Sequence, residues 1–355
     1  MNISNNSFVA GSNTPTKPKR AKRGPSIADV AKEAGVSAQT VSRVSNGLTN
    51  VEEGTRKKVE VAMKALGYRP NRAARALKSG QFKSIGVIMF TLSSFGNMKT
   101  LDAIVSAASD AGYSISLIPM PDPSSSKFPG AYNRLREQQV DGVIIVFDAR
   151  LNDQTEISLA KDLPTVVIDS SPNSDYVMVD TDQESGAEQA TQHLLELGHA
   201  NVWHIAGPKE SFSASHRADA WSRTLQEAGI EPPEVIHGDW STESGYQIGL
   251  ELGARPEVSA IFAANDHMAL GAMRALHELG RRIPEDVSIV GFDDLEEAPS
   301  FWPPLTTVHQ NFQSVGKLSM EALFELITGN SEPAPAQKVP THLVVRKSTS
   351  APSAT

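Results

Sequence analysis

The sequence has no cysteine among its 355 residues. Disulfide bonds, Cys-ligated zinc and thiol catalysis are therefore excluded, as expected of a protein from a reducing compartment. No apolar run approaches the ~18 residues needed to cross a bilayer. The polar amino terminus also lacks the apolar core of a secretion signal. We therefore expect a cytoplasmic protein without a membrane role.

Signatures of catalysis are missing as well. No two glycines have the G-x-G spacing of a dinucleotide-binding fingerprint. The phosphate-binding G-K-[ST], the nucleophile motif G-x-S-x-G and the zinc motif H-E-x-x-H do not occur either. The sequence therefore predicts neither an enzyme nor a bound cofactor or metal.

The two signs of charge are segregated along the chain. Residues 1–80 hold 15 Lys and Arg against 5 Asp and Glu, a net charge of +10. The remaining 275 residues hold 18 against 36, a net charge of −18. A basic module on an acidic body is expected to bind a polyanion through the basic part alone.

Changes in pattern divide the chain into segments. Residues 1–25 are rich in Asn, Ser, Pro and Lys, which predicts a disordered basic arm. From Ser84 onward, short β-branched runs alternate with amphipathic helices, which predicts two similar lobes with doubly wound parallel sheets. The predicted strands are 84–89, 114–119, 142–147, 165–169, 201–206, 234–237, 260–264 and 288–292, and the predicted helices include 182–197, 214–228 and 266–279.

Residues 26–66 have the pattern of a small three-helix domain. Ser26 and Asp29 have the spacing of a capping box that opens a first helix, and Gly35 ends it because glycine adopts a positive φ at little cost. Ser37 is predicted to cap a second helix, residues 38–45, and a third helix is predicted over about 53–66. Two short helices around one glycine, the second with small and polar residues outside, indicate a helix-turn-helix.

The outer face of the second helix suits contacts with DNA. Ala38, Gln39 and Arg43 combine close approach with hydrogen-bonding groups that can reach base edges. Other polar residues nearby suit phosphate contacts. The DNA-contacting residues predicted from this pattern are Ser37, Ala38, Gln39, Thr40, Ser42, Arg43, Asn46, Asn50, Thr55 and Arg56.

The run from Ser26 to Asn46, SIADVAKEAGVSAQTVSRVSN, resembles the headpiece of the lactose/galactose-repressor family of bacterial transcriptional regulators. Residues 67–77, GYRPNRAARAL, resemble the hinge of that family, and the resemblance extends to about Pro352. It implies a double-stranded DNA operator with an inverted repeat. It also implies that the hinge becomes a helix on DNA, where Leu77 of each subunit would wedge into the minor groove. Tyr68 and Asn71 of the same segment are likewise expected to contact DNA.

The same resemblance implies a periplasmic-binding-protein-like core whose two lobes clamp a small effector. Trp240 would be a stacking platform, and charged and amide side chains would bind hydroxyl groups. The implied effector-binding residues are Phe90, Asp169, Arg217, Trp240, Asn265, Asp293 and Gln310, and Phe312 is also expected to line the cleft. Phe90 and Val146 stand where galactoside-binding relatives have polar residues, which favours a compact polyol such as a monosaccharide or cyclitol.

Two alternative functions stay open. A nucleoside- or purine-responsive regulator would share this fold, and a sugar-binding protein with no DNA role is disfavoured by the headpiece pattern. Whether the effector releases or tightens DNA binding depends on which lobe arrangement it favours. Residues 348–355 show no leucine heptads, so we expect no tetramerising coiled coil, and reading a palindrome predicts a homodimer.

The predicted organisation has four segments. They are a basic arm over residues 1–25, a helix-turn-helix domain over 26–70, a hinge helix over 71–80 and a two-lobe core over 81–355. Lobe 1 is predicted over about 82–181 plus 311–340, and lobe 2 over about 182–310 plus 341–350.

Overall fold

A computed structural model describes residues 24–69, 80–92, 94–120, 128–147, 163–169, 176–329 and 336–353. The chain divides into two compact units, Met1–Gly80 and Gln81–Thr355, here called the headpiece and the core. Most of the predicted basic arm, residues 1–23, and nearly all of the predicted hinge helix, 71–79, lie outside the described residues.

The headpiece contains three helices, α1 (Ile27–Ala34), α2 (Ala38–Ser45) and α3 (Glu53–Leu66). The predicted capping box is present, because the Asp29 amide donates to Ser26 Oγ at 3.3 Å and the Ser26 amide donates to Asp29 Oδ2 at 2.7 Å. Gly35 ends α1 with φ of 64°, in the left-handed region that favours glycine.

A small core joins the three headpiece helices. Val30, Val41 and Val59, one from each helix, are fully buried against one another. Val36, Met63, Leu66 and other partly buried apolar side chains surround them. Burial of this apolar seam leaves the opposite face of α2 in solvent.

Lobe 1 of the core is a six-stranded parallel sheet with the order β11-β5-β4-β3-β1-β2. Its strands are β1 (Ser84–Met89), β2 (Ser114–Pro119), β3 (Gly142–Val146), β4 (Thr165–Ile168), β5 (Val177–Thr181) and β11 (Ala336–Val339). The helices α4 (Phe95–Asp110), α5 (Phe128–Glu137) and α10 (Phe312–Thr328) accompany it. Separate apolar clusters lie against its two faces, so the central strands are buried on both sides.

Lobe 2 repeats this plan with the strand order β12-β10-β9-β8-β6-β7. Its strands are β6 (Trp203–Ala206), β7 (Ile236–His237), β8 (Ala260–Ala263), β9 (Ser288–Asp293), β10 (Thr306–His309) and β12 (His342–Val344). The helices are α6 (Gln183–Glu196), α7 (Phe212–Glu227), α8 (Thr242–Gly253) and α9 (Asp266–Glu278). Only the pairing of β12 with β10 is antiparallel among the described strand pairs of this sheet.

The chain passes between the lobes three times. The first crossover leads from β5 to α6, the second from β10 to α10, and the third from β11 to β12. The prediction of an all-α headpiece followed along the chain by two doubly wound lobes is therefore confirmed. No helix among the described residues is both long enough and apolar enough to cross a membrane.

Most predicted strands agree with the structure to within two residues, but the sequence patterns missed four. The strands β5, β10, β11 and β12 were not predicted. Three of them carry exposed or charged residues, as in Ala-Gln-Lys-Val of β11 at the sheet edge. β11 and β12 are short edge strands, which lack the continuous apolar run that marks a buried parallel strand, whereas β5 and β10 are the strands next to them.

Candidate functional site

The exposed face of α2 presents the residues predicted to read base edges. Ser37, Ala38, Gln39 and Arg43 are exposed, and Ser37 Oγ accepts the Thr40 amide at 3.1 Å as the helix N-cap. Close approach is possible because Ala38 has only a methyl group beside the Gln39 amide and the Arg43 guanidinium. The chemistry of this face therefore matches that of a recognition helix.

The predicted phosphate-contacting residues border this face with different exposures. Asn46 and Asn50 are exposed, whereas Ser42 and Thr55 are half-buried. Arg56 donates to the carbonyl oxygen of Leu48, so it also braces the loop between α2 and α3. Tyr68 is half-buried against the headpiece core. The predicted contacts Asn71 and Leu77 lie outside the described residues.

A cavity of about 180 Å³ lies between the two lobes of the core. Lobe 1 contributes Asp169 at the end of β4, and lobe 2 contributes Arg217 from α7 and Asn265 after β8. Both lobes therefore present their carboxyl strand ends to the cavity, which is where parallel α/β sheets bind ligands. Six of the seven predicted effector-binding residues line it, namely Asp169, Arg217, Trp240, Asn265, Asp293 and Gln310, as does Phe312.

Four buried polar side chains form a closed ring in this cavity. Arg217 Nε donates to Gln183 Oε1 at 2.8 Å, and Gln183 Nε2 donates to Gln310 Oε1 at 3.3 Å. Gln310 Nε2 donates to Asp293 Oδ1 at 2.6 Å, and that oxygen lies 4.0 Å from Arg217 Nη1. Each member is less than a tenth exposed. Buried charges held in a bonded network keep their positions without a ligand, which preorganises the cavity.

Burial also perturbs the acidity of the carboxyl groups at this end of lobe 2. It raises the pKa of Asp293 to about 6, against the lowering effects of the Arg217 charge and the Gln310 hydrogen bond. Burial raises the pKa of the neighbouring Asp266 to about 8, and the charge of Asp293 adds to the rise. Asp266 has no exposed surface and accepts from Thr307 Oγ1 at 2.6 Å and from the Leu295 amide at 2.8 Å. Asp266 therefore does not line the cavity and instead bonds Thr307 of β10 and the backbone at Leu295, after β9.

Trp240 forms one apolar wall of the cavity. Its ring lies against Gly207, where any larger residue would collide with the indole. Asn265 Nδ2 donates to the Trp240 carbonyl oxygen at 3.0 Å, which ties the start of α9 to this loop. The φ of Trp240 is 72°, and those of Asp169 and Asp293 are 54° and 115°. Non-glycine residues held at positive φ concentrate at functional sites, where surrounding structure maintains the strain.

The prediction that Phe90 binds the effector is wrong, because Phe90 does not line the cavity. It is 4% exposed and stacks in a buried cluster with Phe128 and Phe147, at centroid distances of 6.5 and 5.4 Å. Val146 is buried in the lobe 1 core and is also absent from the lining. Phe90 and Val146 therefore do not restrict the size of the effector, because both side chains pack in the core of lobe 1.

Several of the lining residues were not predicted from the sequence. Phe95 and Asn97 come from the start of α4, Gln183 from the start of α6, and His267 from the start of α9. Phe95 faces His267 across the lobes with ring centroids 6.2 Å apart, and it meets Phe312 edge-on at 5.9 Å. The feature that these residues share, a position at a helix start beside a strand end, could have indicated them.

Family models match both units of the chain. The model described as bacterial regulatory proteins, lacI family, matches residues 26–71. The model described as periplasmic binding protein-like domain matches residues 191–349.

Similar proteins extend these matches over most of the chain. The lactose operon repressor of Escherichia coli (strain K12) is 38% identical over 331 residues, covering 92% of this chain and 91% of that protein. The HTH-type transcriptional repressor PurR of Haemophilus influenzae (strain PittEE) is 34% identical over 330 residues, covering 91% and 98%.

Solved structures agree with this similarity. The lac repressor dimer bound to operator and the anti-inducer ONPF superposes with a TM-score of 0.85 at 36% identity, covering 93% of this chain and 100% of that one. The transcriptional regulator CelR in complex with cellobiose gives a TM-score of 0.68 at 32% identity, covering 91% and 99%.

Proposed function

This chain belongs to the lacI family of bacterial regulatory proteins and is a DNA-binding transcriptional repressor rather than an enzyme, and from that premise we propose that a compact polyol in the interlobe cavity controls its binding to a palindromic operator. The protein would act as a homodimer, because each half of a palindrome is read by one headpiece. The dimeric state of the lac repressor structure supports this part of the proposal.

The polar ring beside Trp240 carries the proposal for the effector class. The Arg217 guanidinium, the Asp293 carboxylate and the Gln310 amide are adjacent to one another and lie at the cavity surface. Together they offer donors and acceptors to neighbouring hydroxyl groups, while the indole can cover the C–H face of a ring. A cavity of about 180 Å³ is below the ~300–1,000 Å³ of sites for drug-sized ligands, which favours a monosaccharide or cyclitol over a larger glycoside.

A purine or nucleoside effector is the second candidate. Phe95 from lobe 1 and Trp240 from lobe 2 both line the cavity, so a planar base could contact an aromatic ring on each side. The PurR relatives are nearly as similar to this chain as the lactose operon repressor is. The many hydrogen-bonding groups around Arg217 and the small volume lead us to rank the polyol first.

A thermal-shift screen tests the effector class directly. D-galactose, D-glucose, myo-inositol, lactose, hypoxanthine, guanine and adenosine are added separately to the full chain. A ligand present at 100 times its Kd stabilises the folded protein by ~2.7 kcal/mol, so a true effector gives a clear shift. The proposed class is supported by a shift with a monosaccharide or cyclitol and is contradicted by a shift with the purines alone.

Two variants on the same helix locate the binding event. Arg217→Ala removes a guanidinium from the cavity, whereas Arg223→Ala removes one that is 3.9 Å from Glu184 on the surface of α7. The shift should disappear in the first variant and persist in the second. Operator binding without ligand should be close to that of the wild type in both. A shift that survives Arg217→Ala would place the ligand elsewhere.

A further inference from the structure

The three crossovers between the lobes are bonded to one another in two ways. The first and third are joined near the backbone, because the Asp182 amide donates to the Val339 carbonyl oxygen at 2.8 Å and Thr341 Oγ1 donates to the Asp182 carbonyl oxygen at 3.0 Å. The first and second are joined through side chains, because Gln183 Nε2 donates to Gln310 Oε1 at 3.3 Å. Any rotation of one lobe against the other must strain or break such links.

Gln183 occupies an unusual position in this arrangement. It is 4% exposed, begins α6 directly after the first crossover, and lines the cavity. Its side-chain oxygen Oε1 accepts from Arg217, and its side-chain nitrogen Nε2 donates to Gln310. One side chain therefore contacts a cavity cation and the second crossover at the same time.

We propose that Gln183 is a positioning residue that orients Arg217 and Gln310 and transmits occupancy of the cavity to the first crossover. A hydroxyl group bound between Arg217 and Asp293 changes the hydrogen bonds of both, and the ring passes that change through the two glutamine amides to the crossover segments. The inference rests on the proposed function, since it takes this cavity to be the effector site. It assigns Gln183 a role in coupling occupancy of the cavity to movement of the lobes.

Two substitutions separate the two bonds of Gln183. Gln183→Met keeps the side-chain length and removes both hydrogen bonds. Gln183→Glu keeps an acceptor for Arg217 but, when ionised, cannot donate to Gln310. Gln192→Met is the matched control, because Gln192 is exposed on the same helix and donates only at the surface, to Glu196 Oε1 at 3.0 Å.

The measurement is amide hydrogen exchange by mass spectrometry on the full chain at neutral pH, with and without saturating myo-inositol or D-galactose. In the wild type, the bound probe should slow exchange in both the first crossover, 177–186, and the second, 306–314. In Gln183→Met, the probe should bind ~10-fold more weakly. At saturation it should still slow exchange at 306–314, because Gln310 itself lines the cavity, but no longer at 177–186. Gln183→Glu keeps the acceptor for Arg217 and should retain most of the affinity and the protection of 177–186, and Gln192→Met should match the wild type.

The outcomes distinguish this inference from the proposed effector class. Protection of 177–186 at saturation in Gln183→Met, equal to that in the wild type, would overturn the inference. If neither probe changes exchange in the wild type, that result counts against the polyol class, and the ligand-free comparison then decides. Without ligand, Gln183→Met should exchange faster than Gln192→Met in both crossovers, and equal rates would overturn the role of Gln183.

Discussion

Replacing Asp266 by asparagine should remove a specific pH dependence of folding stability. Burial raises the pKa of Asp266 to about 8, against 3.8 for an exposed aspartate, so the folded protein retains at neutral pH a proton that the unfolded chain has lost. Because the folded state binds more protons, the free energy of unfolding falls as pH rises from about 4 and levels off above the folded pKa of about 8. The sign is opposite to that of an ion-paired carboxylate.

The structure also predicts that asparagine fits this position. In the variant Asp266→Asn, the side-chain oxygen of the new amide would accept the Leu295 amide, and its NH₂ group would donate to the Thr307 hydroxyl, which can accept. For one group with these pKa values, integrating the proton linkage from pH 7.0 to 8.5 gives a loss of about 1 kcal/mol in the wild type. The variant should not show this loss.

Urea unfolding of the full chain at fixed protein concentration and several pH values provides the test. The difference in free energy of unfolding between wild type and Asp266→Asn should shift by about 1 kcal/mol between pH 7.0 and 8.5. Contributions from histidines cancel in the difference. Asp286→Asn is the control, because the hydrogen bond from Arg282 lowers the pKa of Asp286 to about 2 and this group stays ionised throughout. A difference that is constant between pH 7.0 and 8.5 would refute protonation of Asp266.

Three further predictions concern DNA and the cavity. Gln39→Ala should cost ~1–3 kcal/mol on the cognate operator and relax preference at one base pair of each half-site, whereas equal weakening on all sequences in an anisotropy titration would make Gln39 a backbone contact. Deleting residues 1–24 should flatten the slope of log K against log salt if the basic arm contacts phosphates, and an unchanged slope would contradict that role. Asp293→Asn should weaken effector binding measured by calorimetry while leaving ligand-free operator affinity near that of the wild type, and Leu77→Ala should do the reverse. Loss of operator affinity in Asp293→Asn with effector affinity unchanged would contradict the role given to the cavity.

The headpiece could be predicted closely because its determinants are local. A capping box at Ser26, a left-handed glycine at position 35 and an N-cap at Ser37 each fix a helix end within four residues of sequence. These three features set both ends of α1 and the start of α2. Such features do not depend on distant partners, so the pattern and the structure coincide.

The cavity was predictable only in part, because its residues meet through long-range topology. The resemblance to a known family supplied Arg217, Trp240, Asn265 and Asp293, all of which line the cavity. Gln183 has no comparable mark, since a glutamine in the first turn of a helix is ordinary in sequence. Its importance arises only when the crossovers bring it between Arg217 and Gln310.

Phe90 and Phe95 show why the direction of a side chain matters more than its position at a strand end. Both follow β1 closely, but Phe90 stacks on Phe128 in the core of lobe 1 while Phe95 lines the cavity. A strand buried on both faces has apolar residues in either direction, so alternation does not tell which side chain leaves the core. Phe95 and Phe312 are therefore aromatic groups of the lobe 1 wall, and Phe95 also faces His267 of lobe 2.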